Sequence, residues 1–146
     1  MNKVNEFKNR MLNVGSGIQK GMAENEDIYF QSVEARNELY NVMPDIVYNY
    51  MKEINKLTGM EYRPFNYYGC EDAENVIVAM GSVCDTVKLV VDDLNNKGYK
   101  VGLIEVHLYR PFSAYYLKKV LPNTVKKIAV LDRTKDATAA GEPLYL

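Results

Sequence analysis

The second half of the chain, residues 75–146, carries the pattern that most limits the possible folds. Short apolar runs at 75–80, 100–106 and 127–131 alternate with amphipathic segments. Such runs are typical of strands covered on both faces, and their alternation with helices predicts a β-α-β-α-β unit with a parallel sheet. By the usual crossover logic, right-handed connections with one helix on each face of the sheet place the first of these strands between the other two. The predicted fold is therefore a three-layer α/β/α arrangement with a mainly parallel sheet.

Residue types at the segment ends predict where the two helices of this unit begin and end. Ser82 with Asp85 fits the start of a capped helix, and Gly98 fits its end. Ser113 is predicted to cap a shorter helix that Pro122 ends. The apolar positions predicted to face the sheet are Val83, Val87, Val90, Val91 and Leu94 in the first helix and Leu117, Val120 and Leu121 in the second.

The first half of the chain is predicted to form a leader and a helical arm. Residues 1–30 are polar and broken by glycines, which predicts an irregular leader or interdomain arm. Residues 31–74 are predicted as a helical arm, at 33–58, followed by an aromatic-rich connector. Residues 75–146 complete the division as an α/β domain, predicted to be truncated at its C-terminal helix because Gly141-Glu142-Pro143 resembles a helix start.

Within the predicted arm, apolar side chains recur at the spacing of one helical face. Pro44 is predicted in the first turn, with the preceding residues forming a separate turn or a kinked extension. Gly59 is predicted to end the helix in a left-handed conformation. The face consists of Ile46, Val47, Tyr50, Met51, Ile54 and Leu57.

Composition argues against several classes of protein. The net charge of −1 gives no electrostatic footprint for nucleic acid. The apolar runs are too short to span a bilayer and no secretory signal is present, which predicts a cytoplasmic protein. Cys70 and Cys84 have no partners at metal-ligand spacing, which favours reduced thiols over a disulfide. An iron–sulfur cluster needs about four cysteines, so this chain by itself is predicted to hold none.

Weak candidates for an anion site lie at the predicted carboxyl edge of the sheet. Gly81 and Ser82 join a strand to a helix N-terminus, where backbone N–H groups can hold an anion. Complete phosphate-binding motifs are absent, so a plain turn is the favoured interpretation. His107, Arg110 and Arg133 are predicted near the same edge, where open α/β folds usually bind ligands. A structural role remains the favoured interpretation of His107.

Three further features bear on function. Cys84 lies in the first turn of a helix, which can lower a thiol pKa, although its apolar neighbours favour a packed residue. The sequence Tyr-Arg-Pro-Phe occurs at 62–65 and 109–112, and its different flanks favour coincidence over a repeat. The chain has 12 tyrosines among 146 residues. Tyrosine is enriched at interfaces, so the domain is predicted to be covered by other protein surfaces.

Several longer motifs resemble one family, pyruvate:ferredoxin (flavodoxin) oxidoreductase, over roughly residues 20–146. The resemblance is to its second domain, which is similar to the C-terminal domain of transketolase. The motifs are Asp27-Ile28-Tyr29-Phe30-Gln31, Pro44-Asp45-Ile46-Val47, Ala79-Met80-Gly81-Ser82-Val83-Cys84, Leu108-Tyr109-Arg110-Pro111-Phe112-Ser113, residues 125–135 and residues 141–146.

The resemblance implies that the chain is one domain of a long, usually homodimeric enzyme. The parent oxidatively decarboxylates pyruvate to acetyl-CoA and passes the electrons to ferredoxin or flavodoxin. It is implied to use thiamine diphosphate, Mg and [4Fe–4S] clusters, with coenzyme A as a substrate. None of the residues that bind these groups is carried onto this chain, which is expected to be a non-catalytic structural domain. Some relatives in anaerobic protists are organellar, which leaves that location as an alternative to the cytoplasm.

A second hypothesis is a stand-alone module of a different class. Gly81, Ser82 and Arg110, with His107 and Arg133, would then hold a phosphate of coenzyme A or of another nucleotide. A third is a free-standing regulatory protein that binds a partner. Under each of these hypotheses, no residue of this chain is predicted to be catalytic or to bind a metal.

Overall fold

The computed structural model describes residues 2–11, 14 and 23–146. The chain divides into two compact units, residues 1–37 and residues 38–146. The first unit contains helix α1, Asn2–Asn9, and helix α2, Glu26–Ala35. The prediction of an irregular segment over residues 1–30 is therefore wrong for residues 2–9 and 26–30, while residues 12–13 and 15–22 lie outside the described residues. The domain boundaries at residues 30 and 74 remain predictions.

Helix α3, Asn37–Thr58, is one continuous helix with Pro44 inside it. This corrects the prediction that Pro44 lies in the first turn of the helix, and it shows that the residues just before Pro44 extend the same helix instead of forming a separate turn. Proline inside a helix removes one backbone hydrogen bond, and the burial of the Pro44 ring offsets part of that loss. Gly59 follows with a φ of 72°, which confirms the predicted left-handed end.

Four strands form a single sheet in the order β1-β3-β2-β4. Strand β2 pairs in parallel with β3 and with β4, which confirms the predicted strand order. Strand β1 was not predicted, because its polar and aromatic residues were interpreted as a connector; it pairs antiparallel with β3. The strands span Phe65–Gly69 (β1), Asn75–Ala79 (β2), Val101–Val106 (β3) and Lys127–Val130 (β4).

Two hydrophobic clusters lie on opposite faces of the sheet. In β2, Val76 and Val78 belong to one cluster and Ala79 to the other, as alternate residues of a strand must. Helix α4, Val83–Asn96, packs on the second cluster, and helix α5, Ala114–Val120, packs on the first. The sheet therefore has a helix on each face, which confirms the predicted α/β/α fold.

The predicted inward face of α4 is only partly correct. Val87 and Val91 are buried and Leu94 packs beside them, whereas Val83 and Val90 are 42% and 46% exposed. Cys84 takes the place predicted for Val83, because it lies close to one turn before Val87 on the same face. The prediction for α5 is confirmed, since Leu117, Val120 and Leu121 all pack on the core.

The helix ends differ from the predicted capping scheme. Ser82 has a helical backbone, φ −62° and ψ −19°, and its side chain makes no capping hydrogen bond. A capping side chain requires an extended backbone at that residue, which explains why the predicted cap does not form. Ser113 is extended and precedes α5, but its side chain makes no capping bond either. Gly98 follows α4 with a φ of 87°, as predicted.

Candidate functional site

An open cavity of about 720 Å³ lies beyond the carboxyl ends of β2 and β4. Because β2 and β4 run in parallel, the residues that follow them reach the same edge of the sheet. Gly81, with a φ of 79°, turns the chain from β2 towards α4 beside the cavity. The lining residues are Met80, Gly81, Ser82, Val83, Thr86, Leu131, Asp132, Arg133 and Thr134.

Two charged residues after β4 have different roles at this cavity. The carboxylate of Asp132 accepts hydrogen bonds from the backbone N–H groups of Leu144, at 3.3 Å, and Tyr145, at 3.1 Å. These bonds hold the C-terminal segment, whose Leu144 is buried in the core. Arg133 is exposed and lines the cavity, so it supplies positive charge there. The sequence did not predict the role of Asp132, because its partners lie 12 and 13 residues away.

The other predicted anion-site residues lie elsewhere. Arg110 stacks over the ring of Tyr109, at 4.8 Å from its centroid, and donates a hydrogen bond to its hydroxyl. It lines a separate, largely apolar cavity of about 360 Å³. His107 Nδ1 lies 3.0 Å from the carbonyl oxygen of Arg63, and its ring packs edge-on against Tyr62. Gly81, Ser82 and Arg133 thus share one cavity, which Arg110 and His107 do not line.

The contacts of His107 agree with its predicted structural role. Its backbone N–H donates to the carbonyl oxygen of Pro64, beside the bond that its side chain makes to Arg63. Together these bonds tie the end of β3 to the residues that lead into β1. The two Tyr-Arg-Pro-Phe sequences also meet here, since the rings of Phe65 and Phe112 pack edge to face at 5.4 Å.

Both cysteines are free thiols in environments that disfavour the thiolate. Burial raises the pKa of Cys84, and the negative charge of Glu105 raises it further. The thiol of Cys70 donates to the Asp72 carboxylate at 2.8 Å, and this bond raises the Cys70 pKa. The packed interpretation of Cys84 is thereby supported over the reactive one.

A polar contact between α3 and α5 was not predicted. The hydroxyl of Tyr116 donates to the carboxylate of Asp45 at 2.6 Å, across 71 positions of sequence. Burial and this hydrogen bond raise the pKa of Tyr116 to about 12. Tyr48 packs on the Tyr116 ring at 5.2 Å, and Lys119 lies over the neighbouring Tyr115. The cluster fixes α3 to the α/β layers, which no local motif could have indicated.

Large apolar side chains remain exposed along α3. The inward side of the helix is formed by Pro44, Tyr48, Met51 and Asn55, whose amide bonds both backbone groups of Tyr62. Four of the six residues of the predicted apolar face therefore point away from the core. These four are Ile46 (49% exposed), Tyr50 (68%), Ile54 (46%) and Leu57 (86%).

The donor groups of this chain do not suit the metal centres that the resemblance implies for the parent. The sequence holds two cysteines, whereas an iron–sulfur cluster needs about four. Among residues 2–11, 14 and 23–146, no three His, Cys, Asp or Glu side chains are grouped so that they could hold a metal ion. Within those same ranges no helix is long and apolar enough to cross a membrane.

Comparison with known proteins places the chain in a family. Residues 73–145 match the family described as "Pyruvate:ferredoxin oxidoreductase core domain II". The chain is 54% identical over 143 residues to the pyruvate-flavodoxin oxidoreductase of Klebsiella pneumoniae, which covers 98% of this chain and 12% of that protein. It is 52% identical over 142 residues to the pyruvate:ferredoxin oxidoreductase of Moorella thermoacetica, covering 97% of this chain and 12% of that protein.

A solved structure of 2-oxoglutarate:ferredoxin oxidoreductase from Magnetococcus marinus also matches. The match has a TM-score of 0.46 and 19% identity, and it covers 82% of this chain and 20% of that one.

The chain therefore belongs to the class of α/β domains with a mainly parallel sheet. It belongs to the pyruvate:ferredoxin oxidoreductase core domain II family. It spans about an eighth of the length of the curated relatives that it matches. The resemblance stated from the sequence motifs is confirmed.

Proposed function

We propose that this chain is a non-catalytic structural domain of a pyruvate:ferredoxin (flavodoxin) oxidoreductase. The parent would oxidatively decarboxylate pyruvate to acetyl-CoA and reduce ferredoxin or flavodoxin. Thiamine diphosphate, Mg and [4Fe–4S] clusters would be held by other domains of the parent, which would act as a homodimer in the cytoplasm. The observation that carries this proposal is the 54% identity over 98% of the chain to an enzyme about eight times its length.

The surface of the chain supports a structural role within a larger body. Monomeric proteins rarely expose extended apolar patches, and such patches mark surfaces that another protein covers. Exposed apolar side chains occur not only on α3 but also on α4, where Leu89 is 71% exposed, and on β4, where Ile128 is 50% exposed. A domain whose task is to pack against several neighbours needs such surfaces on more than one side.

The test is to detect the native polypeptide with an antibody raised against this chain. In an extract of the source cells we expect a band about eight times the 16.7 kDa of this chain, from the 12% coverage of its relatives. The immunopurified protein should reduce a viologen dye when given pyruvate and coenzyme A. The 146-residue chain expressed alone should not, and pyruvate oxidation by it would contradict the proposed role. A native band at 16.7 kDa would overturn the assignment to a parent enzyme.

A second candidate function is binding of a coenzyme A or nucleotide phosphate at the cavity beside Gly81. The observation that favours it is that Arg133 and the Gly81–Ser82 turn line one cavity. Isothermal titration of the chain with coenzyme A tests it, and Arg133→Gln should abolish the heat of binding if Arg133 holds the phosphate. Arg110→Gln serves as the control, because Arg110 lines a different cavity.

A further inference from the structure

One side of α3 carries a row of six exposed apolar residues, which is called the stripe below. They are Leu39, Met43, Ile46, Tyr50, Ile54 and Leu57, each at least 36% exposed. At about 100° per residue, these six positions lie within about 80° of each other around the helix. At 1.5 Å per residue, the stripe is about 27 Å long.

The stripe is distinct from the side by which α3 packs on its own unit. Pro44, Tyr48, Met51 and Asn55 form that inward side, and its centre lies about 130° from the centre of the stripe. Val47 and Tyr40 lie between the two sides, so a continuous apolar arc of about 200° runs from Ile46 round to Tyr48, and Val42 lies on the far side of Glu53. An amphipathic surface helix needs an apolar arc of about 100°, while a helix that is apolar nearly all round is buried.

The rest of the circumference of α3 carries the polar residues, so the helix is not simply apolar throughout. Glu38, Asp45, Asn49, Lys52 and Lys56 fall together on this polar side, and Glu53, which pairs with Lys56 at 2.8 Å, lies at its border with the stripe. Water is therefore expected mainly on this polar side of α3.

We propose that the stripe is buried in the native enzyme against a broad apolar surface formed by another part of the same polypeptide, outside residues 1–146. This inference rests on the proposed function, since it requires the longer polypeptide. The relatives align over 98% of this chain yet have 88% of their length elsewhere (100% − 12%), which supplies ample chain to cover the stripe. A second copy of α3 is disfavoured, because helix pairs use a narrow seam of two positions in seven and would leave much of this arc exposed.

Photo-cross-linking in the full-length enzyme tests the proposal. Tyr50 is replaced by p-benzoylphenylalanine, which keeps an aromatic group at the centre of the stripe. Asn49, adjacent in sequence but about 100° around the helix on the polar side, receives the same replacement as the matched control. Leu57 is replaced as a second stripe position, so that poor folding of one variant does not decide the result.

After irradiation, peptide mapping should locate the cross-links from positions 50 and 57 within the same polypeptide, outside residues 1–146. Because packed interiors exclude water, the yield should exceed that from position 49 by about tenfold or more. Equal yields from positions 49 and 50 would overturn the proposal, as would cross-links to residues 1–37 or products of doubled mass that join two copies. Each of these results would leave the proposed function intact. A native polypeptide of 16.7 kDa would contradict both the proposed function and the burial of the stripe.

Discussion

Helices α3 and α4 have similar amphipathic sequences, yet their apolar faces are buried to very different extents. In α4, Cys84, Val87 and Val91 are buried against the sheet. In α3, most of the apolar side chains predicted to face a core are exposed. The difference is that α4 follows a strand directly and packs back on the sheet, whereas α3 is held to the α/β layers by the contacts of Asp45 and Tyr48 with Tyr116. An amphipathic pattern thus predicts that a face will be covered, but not that the same chain supplies the cover.

The largest expected difference in stability is between a substitution in the core and one in the α3 stripe. Leu103→Ala removes a side chain with no exposed surface, and it should lower the free energy of unfolding by about 2–5 kcal/mol. Ile54→Ala, at a position 46% exposed, should cost well under half of that in the 146-residue chain. Urea unfolding followed by circular dichroism measures both. Equal losses would mean that residues 1–146 already cover the stripe, which would contradict its burial by the rest of the enzyme.

A glycine in the sheet should show how tightly α4 packs. Gly69 has a φ of 114°, and a Cβ there would lie 2.7 Å from the carbonyl oxygen of Val101 and 2.9 Å from a methyl of Val91 in α4. Gly69→Ala should therefore cost about 2–4 kcal/mol through strain and overpacking. Gly98→Ala is the control, because φ is also positive but no atom lies within 4 Å, so about 1 kcal/mol is expected. Thermal unfolding of the two variants gives the comparison, and equal losses would refute close packing at Gly69.

The polar contact that holds α3 should have an intermediate effect. Tyr116→Phe removes the hydrogen bond to Asp45 and should lower stability by about 1 kcal/mol, less than a buried charged bond because the pair is partly exposed. The folded-state pKa of Tyr116 is raised from 10 to about 12. The folded protein therefore binds this proton more tightly, and the stabilisation present below pH 10 is lost as the pH rises towards about 12. Unfolding at several pH values should show a larger loss in the wild type than in Tyr116→Phe, which keeps the other groups that titrate in this range, such as Tyr67 and Tyr68.

The smallest effects are expected from exposed ion pairs, which both helices carry. Lys56 pairs with Glu53 in α3 and Lys97 pairs with Asp93 in α4, and all four side chains are at least 60% exposed. Solvent screens such pairs, so Lys56→Met and Lys97→Met should leave the urea midpoint within the error of measurement. A clear loss for Lys56→Met alone would indicate that electrostatics, and not apolar contact, accounts for the difference between the helices.

The sequence by itself determined the elements whose signals are local. Apolar runs located β2, β3 and β4, and glycines located the ends of α3 and α4, because a left-handed backbone favours glycine whatever surrounds it. The order of these three strands followed from general rules for crossover connections. The long motifs around Gly81 and Arg110 identified the family, which the comparisons confirmed.

Tertiary structure decided whatever depends on residues far apart in sequence. Strand β1 exists because β3 offers an antiparallel edge to Tyr67 and Tyr68, whose own pattern resembles a connector. The sharing of one cavity by Gly81 and Arg133, without Arg110, depends on the adjacent parallel ends of β2 and β4. Distant partners such as Tyr116 likewise decided which side of α3 meets the core. The spacing of apolar residues in a helix shows which residues need to be covered, but it does not show which other residues cover them.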